Sequence, residues 1–220
     1  MRGVCTRSGS LSAADFYASA IYFSQRWNET NSDFPNWVWI PCSRLGAISE
    51  DEGYLVLEKI KLQTERNDSN LEELNNCDSS ANDDLTDEAT LVDVHSHDAH
   101  LYDLHIAYSF TYKVPVLYFR GYKSDGCHLS LDEIKEELPS HSVEILQKSK
   151  WTFMTQEEHP YLNTPWYTLH PCGTGDWMKL LLSSTSYGEN ISLIQYLPAW
   201  LSVIGQTVGL RVPLELYSRS

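Results

Sequence analysis

The chain's pattern predicts an α+β fold, on three observations. Apolar residues recur at helical spacing near the start, at Phe16, Ala20, Phe23 and Trp27. Strict alternation runs from Tyr102 to Phe110, and helical spacing returns at Ile194, Leu197, Leu201 and Ile204. The resulting order is a helix, three or four antiparallel strands, an irregular segment and further helices, with no internal repeat.

Each element has its own local reason. Ser12 followed by Asp15 gives a capping-box-like start to an amphipathic helix over residues 12–27. "NWVWIPC" reads as a short apolar strand ending at Pro41. In "YLVLEKIKL", Tyr54, Val56, Ile60 and Leu62 are expected on one face of a half-buried strand, with the two lysines on the other. From residue 102, Tyr102, Leu104, Ile106, Tyr108 and Phe110 face one way and Asp103, His105 and Ser109 the other. A turn near Tyr112-Lys113 and the run "VPVLYFRGY" complete an antiparallel hairpin. Pro115 cannot donate to a ladder, so it belongs at an edge or a strand start. Ser130 and Glu133 form a capping box for a short helix that stops at Pro139. Residues beyond it, rich in aromatics and proline, keep no sustained period. Pro198 either kinks the last helix or marks its start.

At 220 residues the chain is expected to form a single domain, 1–220. Its formal net charge of −14 is unevenly spread. Twelve acids and one arginine lie between Glu65 and Asp103, so the remainder is nearly neutral. Residues 65–100 hold no aromatic apart from histidine and read as a mobile acidic insertion in a loop. No basic stripe appears, which argues against nucleic acid. Five scattered cysteines without a Cys-x-x-Cys pair indicate free thiols in a reducing compartment. The first residues lack a secretory apolar run, and "LIQYLPAWLSVIGQTVGL" is interrupted by glutamines, a serine and a proline. A soluble cytoplasmic protein with no stable membrane insertion is the expectation.

Cys172 is the foremost candidate for chemistry. A free thiol of pKa ~8.5 is mostly protonated at neutral pH, so a reactive cysteine needs assistance. A helix beginning in Gly173-Thr174-Gly175 would aim its positive end at the sulfur. If the segment is extended, His170 and Cys172 leave on one face. A buried structural cysteine remains open on composition, since free cysteine is among the most buried residue types. His105, His141 or His159 is a candidate general base if the chain is a cysteine hydrolase. His95, His97, His100 and His105, with Asp98, do not match a compact zinc motif, and neither does pairing of Cys127-His128 with His159 or Cys172. No metal and no organic cofactor is expected. Trp37, Trp39 and Trp151 read as core.

"EEHPYLNTPWYTLHPCGTGDWM", with "YDLHIAYSFTYKVPVLYFRGY" upstream and "WLSVIGQTVGLRVPLEL" downstream, resembles the autophagy conjugating enzymes whose active site reads His-Pro-Cys. The resemblance implies a ubiquitin-conjugating-enzyme-like fold, a four-stranded antiparallel sheet flanked by helices. It implies a thioester relay in which Cys172 is the nucleophile and His170 and Pro171 complete the tripeptide. It also implies three partners: an activating enzyme, autophagy-related protein seven; a ubiquitin-like modifier, autophagy-related protein twelve; and an acceptor, autophagy-related protein five. One departure stands out. Ubiquitin-conjugating enzymes carry His-Pro-Asn about ten residues before the cysteine, whereas here His159-Pro160 is followed by Tyr161, with Asn163 further on. His170, Asn163 and Tyr161 are therefore the candidate oxyanion donors, with His170 first because it is nearest in the chain. A hydrolase that removes a modifier and a non-catalytic binding module are the two other readings of the same fold.

Overall fold

A computed structural model describes residues 9–30, 35–42, 51–62, 100–140, 142–144, 154–183 and 193–217. All of the acidic insertion except His100, and with it His95, His97 and Asp98, therefore lies outside the described residues, as do His141 and Trp151.

Helix α1 (Ala13–Thr30) begins where Ser12 Oγ accepts the Asp15 N–H at 3.1 Å. It buries Phe16, Ala20, Phe23 and Trp27. Near its end Asn28 brackets Trp37 with both ends of its amide: Oδ1 accepts the Trp37 N–H and Nδ2 donates to the Trp37 carbonyl. That clamp starts the first strand, β1 (Val38–Pro41), alongside the helix.

Six strands form one antiparallel sheet, ordered β1, β2 (Gly53–Ile60), β3 (Leu101–Ser109), β4 (Val114–Tyr122), β6 (Pro165–Leu169) and β5 (Met154–Glu158). The four strands expected from sequence are thus too few. The additional pair, β5 and β6, folds as a hairpin from the stretch that shows no period. β5 is a polar edge strand, "MTQEE", whose charges suit an uncovered edge, so alternation alone does not reveal it. Within β3 and β4 the register runs unbroken from Leu101↔Tyr122 to Ser109↔Val114. Pro115 sits second in β4, where β6 has not begun to pair, as its missing donor requires.

β2 departs from the expected single apolar face. Tyr54 and Val56 lie on one side of the sheet with Ala107, Val116, Tyr118 and Trp166, while Leu55, Leu57 and Ile60 lie on the other. A bulge between Leu57 and Ile60 causes the exchange. Lys59 there has φ +57°, and its N–H is taken by Asp103 Oδ1 at 2.9 Å.

Helices cover the second of these sides. α2 (Leu131–Glu137) follows its Ser130–Glu133 capping box. α3 (Thr174–Ser183) and α4 (Tyr196–Thr207) complete the layer, with Pro198 in the first turn of α4, marking its start. Met178, Leu197, Trp200 and Leu201 join Trp27, Trp37, Phe119 and Leu104 in the main core. Each such side chain contributes about 1.5–3 kcal/mol on burial. Trp37 is core as expected, and Trp39 is partly buried against it.

Candidate active site

His170 follows β6 in an extended conformation, as the residue before a proline must, and Pro171–Gly173 then close one turn of 3-10 helix. Pro171 occupies the first helical position, where no donor is needed. The turn runs directly into α3, and the Thr174 N–H returns to the Pro171 carbonyl. From Pro171 onward the segment is therefore not extended, and the expected common face for His170 and Cys172 is replaced by a different linkage. The His170 ring folds over the turn, and its Nδ1 accepts the Cys172 N–H at 3.2 Å.

Two consequences follow for the chemistry. An Nδ1 that accepts a backbone proton carries none itself, so the neutral ring keeps its proton on Nε2. Cys172 is exposed while its neighbours Pro171 and Gly173 are buried, which overturns the buried-thiol alternative. The thiol stands two positions before the first residue of a ten-residue helix, at the end whose partial charge favours an anion. Tyr112, from the β3–β4 turn, meets the His170 ring edge-on at 5.5 Å.

The other histidines weighed as bases are elsewhere. His159 is fully buried, and its Nδ1 accepts the N–H groups of Tyr161 and Leu162, both at 3.3 Å. Its Nε2 meets His105 Nδ1 at 3.2 Å. Tautomers are thereby fixed in series: His159 donates from Nε2, and His105 carries its proton on Nε2, which has no partner among the described residues. Burial, and then the Arg120 guanidinium, push His159 down to about 4. Burial, His159 and Arg120 push His105 down to about 3. The pair is held between Tyr54, Tyr118 and Trp166, with Arg120 over the Trp166 ring at 4.3 Å and donating to the Pro165 carbonyl. This is the sheet face opposite α3, so His159 serves as the brace of the turn after β5. Tyr161 stacks on Tyr54 on that same face, and Asn163 takes φ +52° as the turn closes. His100 is bound to Glu137 on α2, away from His105, and Cys127 is exposed beside Asp125. The described residues hold no cluster of histidine, cysteine and carboxylate that would bind a metal ion.

Sequence reasoning did not find the His105–His159 pair, since 54 residues separate them. The one available signal was the alternation that turned His105 away from the apolar face of its strand.

Fold and site together define a class: an α+β protein that presents one cysteine, between a His-Pro pair and a glycine, at the head of a helix. The family model described as "Autophagocytosis associated protein, active-site domain" matches residues 15–215. The ubiquitin-like-conjugating enzyme ATG10 of Arabidopsis thaliana is 49% identical over 219 residues, covering 94% of this chain and 95% of that protein. The human ubiquitin-like-conjugating enzyme ATG10 is 40% identical over 115 residues, 52% of this chain and 51% of that one. A crystal structure of an autophagic E2, Atg10, aligns with a TM-score of 0.45 at 17% identity, over 91% of this chain and 98% of that chain. The chain belongs to this family of autophagy ubiquitin-like-conjugating enzymes.

Proposed function

We propose that Cys172 is the thioester-forming nucleophile of a ubiquitin-like-protein transferase acting in autophagosome formation. The modifier is autophagy-related protein twelve, the activating enzyme autophagy-related protein seven and the acceptor a lysine of autophagy-related protein five. One observation supports this reading most: an exposed cysteine within His170-Pro171-Cys172-Gly173, in a family whose matched segment includes that turn.

The thiolate of Cys172 attacks the carbonyl carbon of the modifier held on the activating enzyme. A new C–S bond forms, the old one breaks, and the activating enzyme's sulfur leaves. The acceptor amine then attacks the same carbon. The C–N isopeptide bond replaces the C–S bond, Cys172 departs as thiolate, and the amine's surplus proton passes to solvent. Because a thioester is already activated, the protein must mainly position the amine and hold the developing oxyanion.

For the oxyanion, His170 is the proposed donor. Its Nδ1 accepts the Cys172 N–H, so the neutral ring carries its donor proton on Nε2, two residues from the nucleophile. His170→Ala is expected to slow discharge of a preformed thioester by about 10²-fold, the scale for one lost oxyanion donor. Discharge at the parental rate would remove His170 from this role. Residues 65–100 are proposed to be a tolerated insertion, so deletion of 66–98 is expected to leave conjugation intact. No described helix is long and apolar enough to cross a membrane, and the proposed location is the cytoplasm.

A further inference from the structure

The backbone of Gly9–Leu11 touches the start of α3, just after the nucleophile's turn, and the β3–β4 turn, which carries Tyr112. Gly9 is buried with φ +72°, a conformation that favours glycine. A Cβ there would collide with the Gly175 carbonyl and come within 2.8 Å of the Lys179 backbone nitrogen. Gly9 thus lies directly on the first turns of α3, and Gly175, itself without a side chain, is three residues beyond Cys172. Two residues on, the Leu11 N–H donates to the Lys113 carbonyl at 2.8 Å. Lys113 adjoins Tyr112, whose ring abuts His170, two residues before Cys172.

Buried tyrosines hold this segment in place. Tyr196, at the start of α4, donates from its hydroxyl to the Gly9 carbonyl at 2.6 Å. Tyr108, at the end of β3, donates to the Leu11 carbonyl at 2.7 Å. Leu11 itself is buried in the main core. The segment is therefore tied to α3, to α4, to β3 and to the β3–β4 turn, and it leads into α1.

We propose that Gly9–Leu11 is a positioning strap for Cys172, setting the first turn of α3 and the Tyr112–His170 contact at a fixed separation. The proposal rests on Cys172 being the nucleophile. Its physical basis is that acyl transfer depends on placement: a misplacement of about 1 Å can cost roughly 10²-fold in rate. Gly9→Ala forces apart backbone segments that now meet, and it does so without altering any group that touches the thioester.

The test is single-turnover discharge of a thioester of autophagy-related protein twelve from this chain to autophagy-related protein five, over a series of acceptor concentrations, with thermal unfolding of each variant measured in parallel. Gly9→Ala, folded at the assay temperature, is expected to lower the maximal rate about tenfold or more while the half-saturating acceptor concentration stays within about twofold. The double variant Tyr108→Phe/Tyr196→Phe keeps both rings in the core and releases the strap's carbonyls. It is expected to lower the same rate severalfold, and it decides the matter if Gly9→Ala does not fold. A folded variant that discharges at the parental maximal rate overturns the strap, and so does a change confined to half-saturation. Cys172→Ala separates the two levels. An adduct that persists in it defeats the nucleophile assignment, whereas its loss beside parental rates in the strap variants defeats the strap alone.

Discussion

Acidification from pH 7 to pH 5 charges histidines in the unfolded chain that the fold keeps neutral. For His159 and His105 the folded values are pushed down to about 4 and about 3, against an ordinary 6.5. A histidine depressed in this way contributes stability that is fully present above pH 6.5 and is lost as pH falls towards its folded value. At pH 5 both rings are still neutral in the fold but protonated when unfolded. Each loses about 2 kcal/mol relative to pH 7, from 1.36 kcal/mol per unit over roughly 1.5 units. The opposite tendency is also present, because acid relieves the repulsion of a chain with formal net charge −14. A comparison of wild type with His105→Phe isolates the share of His105, since the surface charges and His159 are common to both. His105→Phe also replaces the partnerless buried Nε2–H with carbon and fills a similar space between Tyr54 and Trp166. Urea midpoints at the two pH values provide the assay. Wild type should lose about 2 kcal/mol more than the variant, roughly 1 M in midpoint for an m-value near 2 kcal/mol/M. Midpoints that move in parallel would refute the neutral-pair reasoning. So would ring nitrogen spectra showing His159 protonated at pH 6 in the folded protein.

Three further outcomes follow from packing and capping. Gly53→Ala is expected to destabilise by about 1–3 kcal/mol, because its Cβ would collide with the Ile40 carbonyl across the β1–β2 pair; chemical unfolding measures this. Ser130→Ala removes the α2 cap and should cost about 1 kcal/mol, read from the same unfolding curves, with no effect on thioester formation. His159→Ala removes the Nδ1 acceptor of the Tyr161 and Leu162 N–H groups and empties a buried ring site, for a loss of about 3 kcal/mol and a fall in melting temperature.

What could be read from sequence depended on how regularly burial repeats along each element. α1 and the β3–β4 hairpin were legible because Phe16 to Trp27 and Tyr102 to Tyr108 each present one apolar side to the same core. β2 defeated a period-two reading because the bulge at Lys59 moves Ile60 to the face opposite Tyr54 and Val56. β5 was hidden because an edge strand such as Met154–Glu158 need not be apolar. At the site, the residue types around Cys172 were informative, yet its conformation was not. Pro171 and the helix start turn the chain where an extended segment was expected, and only then does His170 reach the Cys172 N–H. Long-range partners such as His105 with His159, or Gly9 with Gly175, have no local signature at all.

The most direct measurement of the central claim is an adduct assay with activating enzyme, ubiquitin-like modifier and ATP. The wild-type chain should form an adduct that reductant releases. Cys172→Ser should give a reductant-resistant ester or none, and Cys172→Ala should give none. A reductant-sensitive adduct that survives unchanged in Cys172→Ala would contradict the account.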